Sequence, residues 1–371
     1  MKKIKENIII NENILNKNVI AKMNEYLLDK EKIINDEYIK EFEKSFAKYN
    51  NSKYAVAVTN EVAAFHLVLT VLKIKPYEEI ILPDLTPISS VYAISYLGAK
   101  PVFIDVDKES WNIDISKIEE NITEKTRAII AVHLYGQPAK IKEIQKICQK
   151  YNLHLIEDCT YSLGSEISGG KVGSFGIAGC FSLNKNSILN CLGGGIILTN
   201  NSRIYERLIF LRDLAKSEKV KYFYSEIGFD YRLSNMQAII GLIRIKEIDE
   251  IIKKKKKIEE EYLKKLSSVE EITLQAILLD RKKVNPYFSL LYQHNKKRNK
   301  DAFIKFLSKN KIEGETFLIP ITELPMYYSS QKINNNARII ANSGINLPLT
   351  LTMKEEEVNY ITEKIKEFFK N

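Results

Sequence analysis

The chain has 371 residues with a net charge of +9, 45% hydrophobic and 28% charged residues. That length exceeds what one hydrophobic core serves, so two lobes are expected, a large domain over 1–245 that includes the N-terminal segment and a small one over 246–371. No apolar run is long enough to cross a membrane, and Met1-Lys2-Lys3-Ile4-Lys5-Glu6 has no apolar core behind its basic start, so a cytoplasmic protein without a membrane partner is expected.

The basic excess lies in Lys253 to Lys257, Lys282-Lys283 and Lys296-Lys297-Arg298. The first run sits on a helical pattern followed by Glu259-Glu260-Glu261, which describes a solvated, charge-laced face. No aromatic-interleaved basic motif accompanies it, so no nucleic-acid partner is expected. Cys148, Cys159, Cys180 and Cys191 form no C-x-x-C pair. They are expected reduced and buried, with no metal site.

From Tyr54 onward, short β-branched or apolar runs alternate with amphipathic stretches. Strands are expected at Tyr54–Val58, Glu79–Leu82, Lys100–Asp105, Ala128–Val132, Leu153–Glu157, Gly179–Leu183 and Gly195–Thr199. Helices are expected at Ala63–Leu72, Ser89–Tyr96 and Ile141–Tyr151. This alternation predicts an α/β fold, a mainly parallel sheet with helices on both faces, whose sites gather at the carboxyl ends of the strands. One long charged helix over Ser234–Leu266 is expected to lead into a smaller C-terminal α+β lobe, with helices at Lys300–Asn310 and Lys354–Phe369.

Six ordered segments carry a more specific message. They are GAKPVFIDVDKESWNID (Gly98–Asp114), AIIAVHLYGQPAKI (Ala128–Ile141), LIEDCTYSLGSEISGGKVGSFG (Leu155–Gly176), CFSLNKNSILNCLGGG (Cys180–Gly195), GFDYRLSNMQAIIGL (Gly228–Leu242) and INLPLTLTMKEEEV (Ile345–Val358). Together they resemble the DegT/DnrJ-type nucleotide-sugar aminotransferases, almost end to end, with HLYGQP the most specific match. The resemblance implies the aminotransferase fold of type I and the cofactor pyridoxal phosphate (PLP), an electron sink held by a lysine imine and a carboxylate at its ring nitrogen. It also implies a keto sugar carried on a nucleotide, glutamate as amine donor, and a site built by two subunits.

Residue by residue, the resemblance assigns Asp158 to the ring nitrogen, Ser182 to the phosphate, and Arg232 to the position after the aromatic Tyr231. Several positions depart from the family pattern. The imine lysine is expected six residues beyond Phe181, where this chain has Ser187, and the spacing to the glycines at 193–195 is preserved. Lys185 is the nearby amine. Asn60-Glu61-Val62 replaces the phosphate-binding Ser-Gly-Thr, Pro87 replaces the stacking aromatic, Tyr161 replaces a Gln or His, and Asp230 replaces an asparagine that reaches the neighbour's phosphate. A carboxylate at a helix N-terminus competes with a phosphate for the same free N–H groups. PLP is therefore expected to be weakly held, non-covalent or absent.

Two functions follow. One is an enzyme of nucleotide-sugar and surface-glycan biosynthesis with a remodelled site, using Asp158, Glu61, Tyr161, His133, Lys185 and Asp230, whose paired carboxyls share acid–base duties if burial splits them. The other is a non-catalytic subunit of a heterodimer with a lysine-bearing homologue; a homodimer is the default. Family members with His at the lysine position act as dehydratases on non-covalently held PLP, which gives a further alternative. For His133, a structural role in the HLYGQP turn is favoured over catalysis.

Overall fold

β-Branched and other apolar residues dominate the expected strands, and in the computed structural model each becomes a strand within a residue or two of its expected ends. The structure describes residues 6–11, 14–217, 219–293, 299–328 and 334–370; the basic run 296–298 and residues 1–5 lie outside these. The chain opens with α1 (Lys17–Leu28), α2 (Lys30–Ile34) and α3 (Glu37–Tyr49). The alternating region follows as β1 (Tyr54–Val58), α4 (Glu61–Val71), β2 (Glu79–Pro83), α5 (Ile88–Tyr96), β3 (Lys100–Ile104), β4 (Thr126–Val132), α6 (Ile141–Tyr151) and β5 (His154–Asp158). A small hairpin, β6 (Glu166–Ile167) and β7 (Gly170–Lys171), precedes β8 (Ala178–Ser182), β9 (Gly195–Thr199) and α7 (Ser202–Arg212).

The large sheet has the order β1-β9-β8-β5-β4-β2-β3. Only β9 runs against its neighbours, so the sheet is mainly parallel, as the βαβ alternation requires. Side chains alternate between its faces. Ile129 and Ala131 of β4 point into a core with α3 and α6. Ala128, Ile130 and Val132 point into a second core with α4 and α5. Both faces are covered, which is why these strands read as continuous apolar runs.

The expected single helix over Ser234–Leu266 is instead two, α8 (Asn235–Ile245) and α9 (Ile248–Leu266). Glu247, at φ −105° and ψ 4°, leaves the helical region between them. The physical reason is a change of environment. Ala238 to Ile245 are all buried, with α8 packed on α3 and α1, whereas α9 buries only one stripe and exposes most of its lysines. A straight helix would not present both faces correctly. Ser234 and Gln237 form a reciprocal capping box that fixes where α8 begins.

The C-terminal part contains β10 (Ile272–Leu274), β11 (Arg281–Lys282), β12 (Phe288–Tyr292), α10 (Lys300–Lys309), β13 (Glu315–Thr316), α11 (Asn335–Ser343), β14 (Gly344–Leu347) and α12 (Glu355–Lys370). Its antiparallel sheet, β10-β12-β14-β13, packs with α10 and α12 around Tyr262, Phe303, Leu307, Ile361 and Phe369. Ile8 pairs with Ile312, so the N-terminal segment also touches this core.

Two acids at the carboxyl ends of β2 and β3 clamp the C-terminal part to the large sheet. Asp84 accepts from Thr322 N (2.9 Å), Thr322 Oγ1 (2.7 Å) and Asn334 Nδ2 (3.1 Å). Asp105 accepts from Ala337 N (2.9 Å) and Asn336 N (3.2 Å), satisfying free N–H groups at the start of α11. No described helix is long and apolar enough to cross a membrane.

Candidate functional site

The site is built where β5 and β8 end and α4 and α5 begin. Asp158 is the last residue of β5 and Ser182 the last of β8, and both are buried. Asn60 caps α4 by accepting from Ala63 N at 2.8 Å, and Pro87 occupies the corresponding cap position of α5. Glycines let these pieces meet. A Cβ on Gly195 would stand 2.6 Å from the Asn60 carbonyl oxygen, so the Gly-rich turn passes directly behind the α4 N-terminus. Gly194 adopts φ +109°, which L side chains rarely take. For these glycines the fold itself supplies the reason.

Glu61, the first residue of α4, turns its carboxyl inward. Its Oε1 accepts from Ser89 Oγ and from Thr160 Oγ1, each at 2.5 Å. Thr160 Oγ1 is also 2.6 Å from Asp158 Oδ1, and Thr160 N donates to the same oxygen at 3.1 Å. A hydroxyl has one proton to donate. Thr160 cannot donate to both carboxyls at once, so one carboxyl must carry a proton and donate back. Electrostatics agree. Burial, then the Glu61 charge, push Asp158 up to about 8, and burial pushes Glu61 upward against hydrogen bonds from Ser89, Thr160 and Ser182.

Ser187 lies half-buried in the loop after β8, its Oγ donating to Asn184 Oδ1 at 3.3 Å. Lys185 is exposed, and its charge is felt by Glu315, whose carboxyl burial pushes upward and Lys185 pulls down. Val62 is half-buried against the apolar core of the outer sheet face. Tyr161 stacks on Tyr135, ring centroids 5.4 Å apart, so it belongs to an aromatic wall that continues to Tyr287.

Other predicted residues sit elsewhere. His133 Nδ1 accepts from Ala139 N at 2.9 Å, which leaves the ring proton on Nε2 for Glu157, 3.1 Å away. Glu157 also accepts from the backbone N–H groups of Gly173, Phe175 and Gly176. The imidazole therefore ties the HLYGQP turn to β5, and it is the structural role that the geometry supports. His133, Glu157 and Cys159 bring potential metal-ligating atoms within 4.8 Å, but those of Glu157 and His133 are already committed to these hydrogen bonds. All four cysteines are buried and unpaired as disulfides. Arg232 is held by Asp36 at 2.5 Å and Asp213 at 3.2 Å. Asp230 is exposed on the segment carrying the exposed residues Tyr222, Phe223, Tyr224 and Ile227.

Sequence reasoning missed Thr160 and Ser89. Their signal was available, a hydroxyl two residues beyond the strand acid and another at the start of the helix after Pro87. Nothing in the sequence, however, says that a residue of α4 reaches both.

A family model, the DegT/DnrJ/EryC1/StrS aminotransferase family, matches residues 14–366. The chain is 34% identical over 332 residues to the GDP-perosamine synthase of Escherichia coli O157:H7, covering 90% of each. It is 31% identical over 342 residues to the putative pyridoxal phosphate-dependent aminotransferase EpsN of Bacillus subtilis, covering 89% of this chain and 88% of that one. Among solved structures, S. venezuelae DesV in complex with a ketimine intermediate superposes with a TM-score of 0.90 at 25% identity, over 99% of this chain and 100% of that one. The resemblance seen in the six sequence segments and the type I aminotransferase fold thus both hold, and the chain belongs to the DegT/DnrJ/EryC1/StrS aminotransferase family.

Proposed function

We propose that this chain serves nucleotide-sugar metabolism as a nucleotide-sugar-binding member of its family that does not transaminate through a lysine imine. The observation that carries the reading is the bridged pair of carboxyls, Glu61 and Asp158, in the place that the resemblance gives to the cofactor. Asp158 alone suits a protonated ring nitrogen, and its Oδ2 has no hydrogen-bond partner. The rest does not suit a phosphorylated pyridine. Glu61 takes up the hydroxyls of Ser89, Thr160 and Ser182, Asn60 spends its side chain on an N–H of α4, and Glu61 puts a carboxyl at a position that the resemblance gives to the phosphate cradle. Bringing a phosphate to a carboxylate costs on the order of several kcal/mol at short range. Ser187 has no amine, and Lys185 is directed to solvent. These residues do not fit PLP.

The reading is tested by adding PLP to the purified chain and recording its visible spectrum, followed by a thermal-shift panel of nucleotide sugars. The expected result is no shifted cofactor band and a raised melting temperature with at least one nucleotide sugar, since a ligand bound to the folded state stabilises it by mass action. A strong cofactor band would sink the reading. A second role is favoured by the exposed strip Val220, Tyr222, Phe223, Tyr224 and Ile227. Apolar area of this kind marks a protein partner, either a second copy or a lysine-bearing homologue whose site this chain completes with Asp230.

A further inference from the structure

Buried carboxyls in this protein are neutralised by a cation or filled with donors. Glu43 has Arg212 at 2.6 Å, Asp105 has Lys117 at 3.2 Å and Glu79 has Lys100 at 3.2 Å, while Glu157 is filled by His133 Nε2 and three backbone N–H groups. Asp84 has no cation but receives Thr322 N, Thr322 Oγ1 and Asn334 Nδ2. Glu61 and Asp158 stand apart as two buried acids that share a single hydroxyl, that of Thr160, with no cation beside them. Among the described residues no Lys, Arg or His makes an ion pair with either, and the groups acting on them are hydroxyls, one backbone N–H and each other's charge.

Asp158 is fully buried and its Oδ2 has no hydrogen-bond partner, the Ser90 hydroxyl that acts on this carboxyl donating instead to the Pro87 carbonyl at 3.2 Å. A buried acceptor oxygen without a donor is costly. The titratable groups around the pair do not relieve it. Cys159, Cys180 and Tyr161 are pushed upward by burial and hold their protons, and Glu157 is occupied by His133 and three backbone N–H groups.

What is missing is one positive charge with several N–H donors. We propose that the Glu61–Asp158 pair is a binding site for a ligand's primary ammonium group, that of an amino sugar or of an amino acid. The proposal rests on the reading that this pocket has given up a phosphorylated cofactor. The charges balance. The unliganded pair holds one proton and a net charge of −1. When the ammonium enters, that proton leaves to solvent, two carboxylates face one cation, and the net charge stays −1. Asp158 Oδ2 gains the donor it lacks. Glu61 keeps 8% of its surface exposed, beside the exposed Asn60, so a ligand would approach the pair from the start of α4.

Titration calorimetry on the full chain tests this, in two buffers of different ionisation heat. The probes are GDP-perosamine, GDP-rhamnose (a hydroxyl in place of the amine), glutamate, methylammonium chloride and PLP. The amino sugar is expected to bind at least about tenfold tighter than its hydroxyl counterpart, with release of about one proton. In E61Q and D158N the preference and the proton release should both vanish. Glutamate binding with the same proton release, lost in the same variants, would support the site and assign its ammonium to an amino acid. Methylammonium release of a proton without any nucleotide binding would uphold the ammonium site and sink the nucleotide-sugar reading. Equal affinity for the two sugars with no response to glutamate or methylammonium would overturn the proposal, as would PLP binding that E61Q does not alter. Melting curves establish that the variants fold, and T160V, which breaks the bridge but leaves both acids, gives a second route to the same lost proton release.

Discussion

Glu61 Oε1 and Asp158 Oδ1 are joined through one hydroxyl, that of Thr160, at 2.5 and 2.6 Å. An acid whose proton is held more tightly in the folded chain destabilises that chain as pH rises. Asp158 is held up to about 8, against about 3.9 in an unfolded chain. Stability from this group is therefore fully present below about pH 4 and is lost as pH rises toward 8. D158N, which keeps the acceptor for Thr160 N but cannot ionise, should melt with the parent at pH 4 and above it at pH 8. Identical melting curves at both pH values would contradict the shared proton.

Restoring a lysine alone should not restore transamination. In S187K the amine returns, but Glu61 still holds the Ser89 and Thr160 hydroxyls, and no imine absorption with PLP is expected. The triple variant S187K/E61G/V62T should show that absorption. A single S187K protein that transaminates would refute the claim that the cradle is closed.

His133 acts through the fold. H133A leaves the buried Glu157 without its side-chain partner and opens a small cavity, at a cost of about 3 kcal/mol. Urea unfolding should report this as a lower midpoint at unchanged slope. Any nucleotide-sugar affinity should survive at temperatures where the variant is folded.

Asp105 binds the α11 N-terminus to the large sheet through Ala337 N and Asn336 N, and is neutralised by Lys117 at 3.2 Å. D105A removes a helix cap and a charge partner together, with an expected loss of about 2 kcal/mol. D105N, which keeps one acceptor oxygen, should lose less. Equal losses would show that charge and not capping matters.

The strip beside Asp230 predicts an oligomer. I227D places a charge on a residue that is 86% exposed in the single chain, so it should leave the fold intact and reduce the molecular mass in light scattering. An unchanged mass would remove the strip from the interface.

Sequence by itself determined the sheet. Short apolar runs between amphipathic stretches leave few arrangements, because strands buried on both faces must be apolar throughout, and six ordered segments identified the family. It also located Ser187, since position within an intact loop is a matter of counting. It did not determine the break at Glu247, because a periodic charged pattern continues across it and only the packing of α8 on α3 and α1 decides where it must stop. Nor did it determine the pairing at the heart of the site. Glu61, Ser89, Asp158 and Thr160 come from two helix starts and one strand end, up to 99 residues apart, and only the sheet's carboxyl edge brings them together. The shared proton exists only there, where burial removes the water that would otherwise keep two carboxylates ionised and apart.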